Sequence, residues 1–440
     1  MPESQKCVAY DNESELNPIT VDIRNSRYFS DSIEAMQTAE PALPLLFSPL
    51  ALRGITARNR IVISPMCQYR SVAGGPTDWH LVHLGKFAMG GAGIVFGDET
   101  AVEERGRKTH HCAGIYDNRH VLQYRRITDF IRSMGAIPAI QLGHSGRKAS
   151  THGAMRNWAP LGSDDAKDGF PPWIGVAPSA LPVEPGAHTP TAMSRDDIAQ
   201  VLGAWTEAVK RSLDAGFDIC EIHGAHGYLI HQFLSPVTNK RTDAYGGNRA
   251  GRMRFALEVA EAVRATWPSD RPVFFRASVV DGRGGEWVME DTIDLAFKLK
   301  ERGIDLIDCS SGGIQGSSAF PLIPRVPGYH VSYSARIRRT VEIKTMAVGL
   351  ITDPHHAEAI LHAGDTDLVA LAREVLHQSD WAVHAATALG VARPYDLLPP
   401  DYAYRLYGRD KSRSNYPAGT PTQIPHSSDN FVPYSWPDLS

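Results

Sequence analysis

Between Leu46 and Leu389 the chain alternates short apolar runs with longer amphipathic ones, eight times over. Ile61-Val-Ile-Ser64 is the first such run, followed by a helical stretch from His80 to Met89 that Gly90-Gly91 closes. Gly93–Phe96 precedes a helix around Val121–Met134, and Ile137–Leu142 is the third strand. Residues 145 to about 193 are rich in Pro, Gly and Asp and carry little periodicity. They predict a long excursion of the kind that forms lids or walls. Ser194 then opens a helix as N-cap with Asp197 at capping-box distance. Ile198, Val201, Leu202, Trp205 and Val209 give that helix one apolar face. Asp218–Ile222 is the fourth strand. Val273–Ala277, Leu306–Cys309, Lys344–Gly349 and Leu368–Leu371 complete the set, with helices around Asp291–Lys300, Ser334–Val341, Asp353–His362 and Val375–Leu389. Eight strand–helix units favour closure over a doubly wound sheet, and no Gly-x-Gly-x-x-Gly follows the first strand. The predicted class is α/β, a (β/α)8 TIM barrel with an excursion after the third strand and an extension at each end.

The flanks read differently from the barrel at 43–405. Residues 1–42 are polar and acidic, with no apolar segment after Met1, and form an N-terminal extension without a signal peptide. Residues 406–440 read as a polar tail, extended from Gly408 onward by its Pro, Ser, Asn and Asp content. No run approaches the ~18 apolar residues that cross a bilayer. A net charge of −4 without a dense basic run argues against a nucleic-acid partner. The five cysteines are scattered with no Cys-x-x-Cys, which points away from iron–sulfur or structural zinc and towards a reducing cytoplasmic setting.

Catalytic groups of a barrel sit where strands end. Here those ends carry Cys67, Glu99, Gln141, His144, His223 with His226, Arg276, Ser310-Ser311, Gly349 and Arg373. The histidine pair is separated only by small residues, and Tyr228 follows two residues later. Two neutral imidazoles can ligate a metal, although a catalytic metal wants a third ligand. Two imidazole donors and a phenol can equally hold a carbonyl oxygen that becomes an oxyanion, the phenol supplying a proton. Two structural histidines at a strand end are the third reading.

Leu-Ser-Pro236 and Asn239-Lys-Arg-Thr-Asp243-Ala-Tyr-Gly-Gly247 extend the histidine segment. The combined run resembles the old yellow enzyme family of FMN-dependent ene-reductases. Ser64-Pro-Met-Cys67-Gln-Tyr69 is similar to the cysteine-bearing, thermophilic-like (class III) group within it. The resemblance runs from about Leu46 to Tyr404. It implies an NADPH dehydrogenase that takes hydride from NADPH or NADH onto FMN and passes it from flavin N5 to an α,β-unsaturated carbonyl compound. It implies that Ser64, Pro65 and Met66 line the flavin, with Cys67 at its reactive edge and Gln141 on its pyrimidine. It further implies Arg276 near N1 and O2, with Gly349, Ala372 and Arg373 at the phosphate. His223, His226 and Tyr69 would bind the substrate carbonyl, and Tyr228 would protonate the substrate.

Three positions depart from the family pattern. Glu99 stands where Ala or Gly is usual, and is expected either to point away from the flavin or to repel its reduced anion. Ala372 replaces a Gly, and Asn248-Arg-Ala-Gly-Arg252 retains only the arginine of the usual run. Two other functions stay open on the residues. One is a barrel metallohydrolase using His223 and His226, with His144 and Glu99 as further ligands. The other is a flavin-binding enone isomerase or sensor. Finally, Tyr404 aligns with a position from which the class III group reaches into a neighbouring subunit, with Arg405 beside it, so a homodimer or larger homo-oligomer is expected.

Overall fold

A computed structural model describes residues 43–282, 286–315, 323 and 325–414. Residues 1–42 and 415–440, which hold the N-terminal extension and most of the tail, lie outside the described residues. Eight parallel strands close on themselves: β1 Ile61–Ile63, β2 Ile94–Ala101, β3 Ile137–Gly143, β4 Ile219–Gly224, β5 Val273–Ser278, β6 Leu306–Ser310, β7 Lys344–Val348 and β8 Leu368–Leu371. β8 pairs with β1 through Val369–Ile61, and β1 pairs with β2 through Val62–Ile94, which completes the (β/α)8 barrel. The two-residue strand Ala113–Gly114 adds to the end of β2.

Alternation along each strand sorts its side chains into two populations. Val62, Ile94, Phe96, Ala139, Ile219, Phe274, Leu306, Met346 and Leu368 fill the barrel floor. Residues of opposite parity, such as Ile140, Cys220, Ile222, Phe275 and Cys309, face the helices in a separate apolar layer. The inward positions turn polar towards the strands' C-terminal ends: Gln141, Glu221, Arg276 and Asp308, then His223, Ser278 and Ser310. A chain that buries apolar residues at one end of its barrel and polar ones at the other has marked its active face.

The main helices are α1 Asp78–Met89, α2 Arg119–Ser133, α3 Arg195–Asp214, α4 Arg249–Thr266, α5 Met289–Glu301, α6 Val331–Val341, α7 Pro354–His362, α8 Trp381–Ala388 and α9 Pro400–Ser414. Ser194 caps α3 as expected, its Oγ accepting the Asp197 N–H at 3.1 Å. Asn248, at the departed motif, caps α4 by accepting the Gly251 N–H at 2.9 Å. The retained Arg252 donates to the Leu234 carbonyl at 2.9 Å.

Several elements differ from the sequence reading. An antiparallel hairpin, Leu50–Leu52 with Ile55–Ala57, precedes β1, and its Leu50, Leu52 and Ala57 join the barrel-floor cluster. The expected helix Val375–Leu389 is two pieces, Arg373–His377 and α8. Its break brings the backbone of Ser379 against Gly90, where a Cβ would lie 2.3 Å from the Ser379 oxygen. Gly408–Ser414, expected as extended tail, is the last part of α9. Tyr395 and Asp396 fasten that helix, Tyr395 Oη donating to Asp410 at 2.7 Å and Tyr407 Oη to Asp396 at 3.1 Å. Among the described residues no helix is long and apolar enough to cross a membrane.

Candidate active site

The strand ends surround a cleft with two arms that share Trp158, His226 and Arg276. One arm, about 430 Å³, is lined by Pro65, Cys67, Tyr69, Glu99, Gln141, His223 and Tyr228 among others. The other, about 730 Å³, reaches Ser310, Ser311, Arg325, Gly349, Ala372 and Arg373. Ser64 and Met66 flank the first arm rather than line it. The Ser64 N–H bonds the Leu371 carbonyl at 2.9 Å, and Met66 packs towards the helix layer.

β4 ends by delivering His223 inward, buried, and the chain turns at His226 with a left-handed φ of 58°. Gly227 follows at φ 70°, and a Cβ there would lie 2.0 Å from the Gly313 oxygen, so this close passage requires glycine. The Gly227 N–H is taken by His231 Nδ1 at 2.9 Å. His226 is held from three directions. Its N–H donates to Ser278 Oγ at 2.9 Å, its carbonyl accepts Lys148 Nζ at 2.8 Å, and its Nε2 lies 2.7 Å from Ser310 Oγ. The two imidazole centroids are 5.1 Å apart, and Tyr228 meets His223 edge-on at 4.9 Å. Burial first, then the Arg276 charge, pushes both imidazoles well below the ordinary histidine range. Both are therefore neutral at pH 7, each with one N–H donor. Burial pushes the Tyr228 phenol well up, so it keeps its proton.

Among the described residues the metal reading finds no third ligand. His144 spends both ring nitrogens elsewhere, Nε2 on Glu103 at 2.9 Å and Nδ1 on the Gly146 N–H at 2.9 Å. Among the described residues no group of three His, Cys, Asp or Glu side chains converges to hold a metal.

Beneath the histidines, Gln141 Nε2 donates to Glu221 at 2.8 Å, and Arg276 Nε lies 3.1 Å from Asp308 without hydrogen-bond alignment. Burial pushes both Glu221 and Asp308 upward, and each lies in the other's field or that of Arg276. Cys67, half-buried on the cleft, has its thiol raised well above the usual value by burial, then by Glu99 and Asp98. Tyr69, at φ 54°, is likewise raised by burial.

Glu99 corrects the sequence expectation. The pairing of β2 with β3 slips between Phe96 and Glu99, a bulge that sets Glu99 beside Gln141. The carboxyl lines the cleft, 3 % exposed, and neither oxygen has a partner. Burial, then Asp98, raises it to about 8 against a smaller opposing effect of Lys108. It points inward, and burial favours its protonated form, which carries no charge to repel an anion. Ala372 has φ −126°, which an alanine adopts without strain.

Sequence reasoning missed Lys108, Trp158 and Asn157 in the first arm and Arg325, Tyr329 and His330 in the second. Lys148, to which the sequence reading gave no role, also lines the cleft. The missed residues come from loops without periodicity, where no pattern signals direction.

The molecule is a TIM-barrel protein of the enzyme type, with a two-armed polar cleft at the C-terminal ends of its strands. Residues 45–390 match the NADH:flavin oxidoreductase / NADH oxidase family, and the chain belongs to it. It is 41 % identical over 349 residues to an NADPH dehydrogenase of Geobacillus sp. (strain WCH70), covering 79 % of this chain and 95 % of that one. Morphinone reductase superposes with a TM-score of 0.64 at 26 % identity, over 80 % of this chain and 91 % of that one. The old yellow enzyme homologue from Zymomonas mobilis shares the fold, with a TM-score of 0.64 at 24 % identity over 79 % and 93 % of the two chains. The protein is an FMN-dependent NAD(P)H oxidoreductase of that family.

Proposed function

We propose that the protein reduces the activated C=C bond of α,β-unsaturated carbonyl compounds at the expense of NADPH or NADH. The reading rests on one observation: two neutral imidazoles 5.1 Å apart in the first arm of the cleft, with a protonated phenol against the first.

The residues suit FMN. Arg373, Arg325 and the Gly349 backbone would take its phosphate, Arg276 and Gln141 its polar ring edge, and Pro65 and Cys67 its face. Bound FMN supplies the hydride that a nicotinamide delivers to it. The protein's own part is electrostatic. His223 and His226 would donate to the substrate carbonyl oxygen, stabilising charge as it accumulates there. Because both rings are neutral, each can donate without first losing a proton to the substrate. Tyr228 would give a proton to the carbon next to the carbonyl as that carbon becomes basic. Tyr69 closes the opposite side. A second copy of the chain, meeting the exposed face of α9 around Tyr404 and Arg405, would complete the assembly.

The test is anaerobic stopped-flow. NADPH-reduced enzyme mixed with 2-cyclohexenone should recover its oxidised flavin absorbance, and Tyr228→Phe should slow that recovery while sparing reduction by NADPH. Reduced flavin that persists in the presence of enone would refute the proposal and leave the isomerase or sensor role.

A further inference from the structure

We infer that the cleft is built for an activated alkene that also carries a carboxylate, with Lys108 as its counter-ion. The inference rests on the ene-reductase reading and deepens it.

Lys108 lines the same arm as the histidine pair, Cys67 and Tyr228. Its ammonium lies over the Trp158 ring, 4.4 Å from the centroid. Among the described residues no acceptor hydrogen-bonds Nζ and no carboxylate comes within ion-pair distance, although Glu99 is near enough to feel its charge. It is not a loose surface lysine, because the Thr151 N–H grips its carbonyl at 2.9 Å and so fixes the backbone that projects it. Burial lowers its affinity for a proton, while Cys112, Cys67 and Glu99 act to restore it. A cation brought into a half-buried cleft without an anion is costly unless a ligand supplies one.

The other charges in this arm support that reading. Glu99 makes no ion pair with Lys108, and burial favours its protonated form, so it does not serve as the ammonium's counter-ion. Glu184 lines the arm only from the exposed rim. The second lysine, Lys148, is engaged by the carbonyls of His226 at 2.8 Å and Gly313 at 2.5 Å. Arg276 adds positive potential from below. A substrate carboxylate would therefore meet one available ammonium, with the Arg276 guanidinium on the same arm. The Trp158 ring alongside would exclude water from the pair and strengthen it.

The inference is tested on the FMN-loaded enzyme with a matched pair of flat probes, 4-hydroxybenzoate and its methyl ester. Their dissociation constants are read from the perturbed flavin spectrum. A charge-assisted bond predicts that wild type favours the carboxylate about tenfold to a hundredfold. Lys108→Met should bring the ratio towards one, and Lys108→Arg should keep most of it. Equal affinities in wild type, or a preference that survives Lys108→Met, would overturn the inference. Turnover of 4-oxopent-2-enoate and of its methyl ester separates it from the parent reading. If neither compound reoxidises reduced flavin, the ene-reductase reading fails while the binding ratio still judges Lys108. If both are reduced with equal kcat/KM, the alkene reading stands and the carboxylate inference falls.

Discussion

His226 Nε2 and Ser310 Oγ lie 2.7 Å apart across the barrel mouth, joining the loop after β4 to the end of β6. Ser278, on the strand between, accepts the His226 N–H. His226 sits at φ 58°, a conformation that costs a non-glycine residue on the order of 1 kcal/mol and persists only when its surroundings enforce it. Ser310 thus orients a proposed substrate donor without itself needing to touch substrate. Ser310→Ala should remove one neutral bond, on the order of 1 kcal/mol, and lower kcat/KM for the alkene about fivefold to tenfold. Flavin reduction by NADPH should move less. Equal losses in both half-reactions would show a general loosening of the site instead of a specific effect on His226.

Glu99 makes the stability of the cofactor-free protein depend on pH. Its carboxyl titrates at an ordinary 4.5 when unfolded and at about 8 in the fold. The folded state therefore keeps a proton that the unfolded chain gives up between these values. Stability falls as pH rises from about 4.5 to about 8 and is level beyond. Glu99→Gln removes that dependence, so the variant should gain on wild type across this window, by on the order of 5 kcal/mol. Urea unfolding at pH 5, 7 and 9 reads the difference. Parallel curves would mean that Glu99 titrates like an exposed carboxylate.

The barrel was legible because its strands are short, β-branched and bounded by Gly and polar residues, a pattern that survives in one dimension. The polar ring was legible for the same reason, since an inward-facing group near a strand's C-terminal end has only one place to go. His223, Gln141 and Arg276 all followed that rule into the cleft. Glu99 was placed on that ring too, but its aim was left open, because the slip before it changes which way the strand points and no residue type announces it. Lys108 and Trp158 lie in segments whose course is set by distant contacts, such as the Thr151 grip on Lys108. The hairpin at Leu50–Ala57 turns at Arg53-Gly54, with strands of three residues, too short for alternation to register.

Cys67 should tune the site and not act as a nucleophile. Burial, Glu99 and Asp98 all disfavour its thiolate, which is the reactive form. Iodoacetamide at pH 8 should label it far more slowly than it labels a free thiol such as glutathione. Cys67→Ala should retain FMN and turnover while shifting the flavin potential and the substrate KM. Abolished turnover with FMN bound and the fold intact would make the thiol obligatory and contradict this assignment.

The face of α9 tests the proposed second copy. The helix spends Tyr407 and Asp410 on the preceding turn, where Arg393 also lies over the Tyr407 ring at 4.8 Å. Ala403 is buried, while Tyr404 is left 81 % exposed and Tyr402 52 % exposed. Two large aromatics so exposed on a helix already fastened to its own barrel suit contact with another molecule, where tyrosine is a common anchor. If that molecule is a second copy, Tyr404→Ala should weaken self-association by about thirtyfold, the effect of an anchor worth ~2 kcal/mol. Because Tyr395, Asp396 and Arg393 still hold α9, the substitution should leave FMN stoichiometry and the fold unchanged. A neighbour that also completes the substrate cleft predicts a higher KM in the same variant. Light scattering across a dilution series, paired with kinetics, separates these outcomes. A wild type that is monomeric at working concentration, with kinetics untouched by Tyr404→Ala, would leave the helix as surface alone.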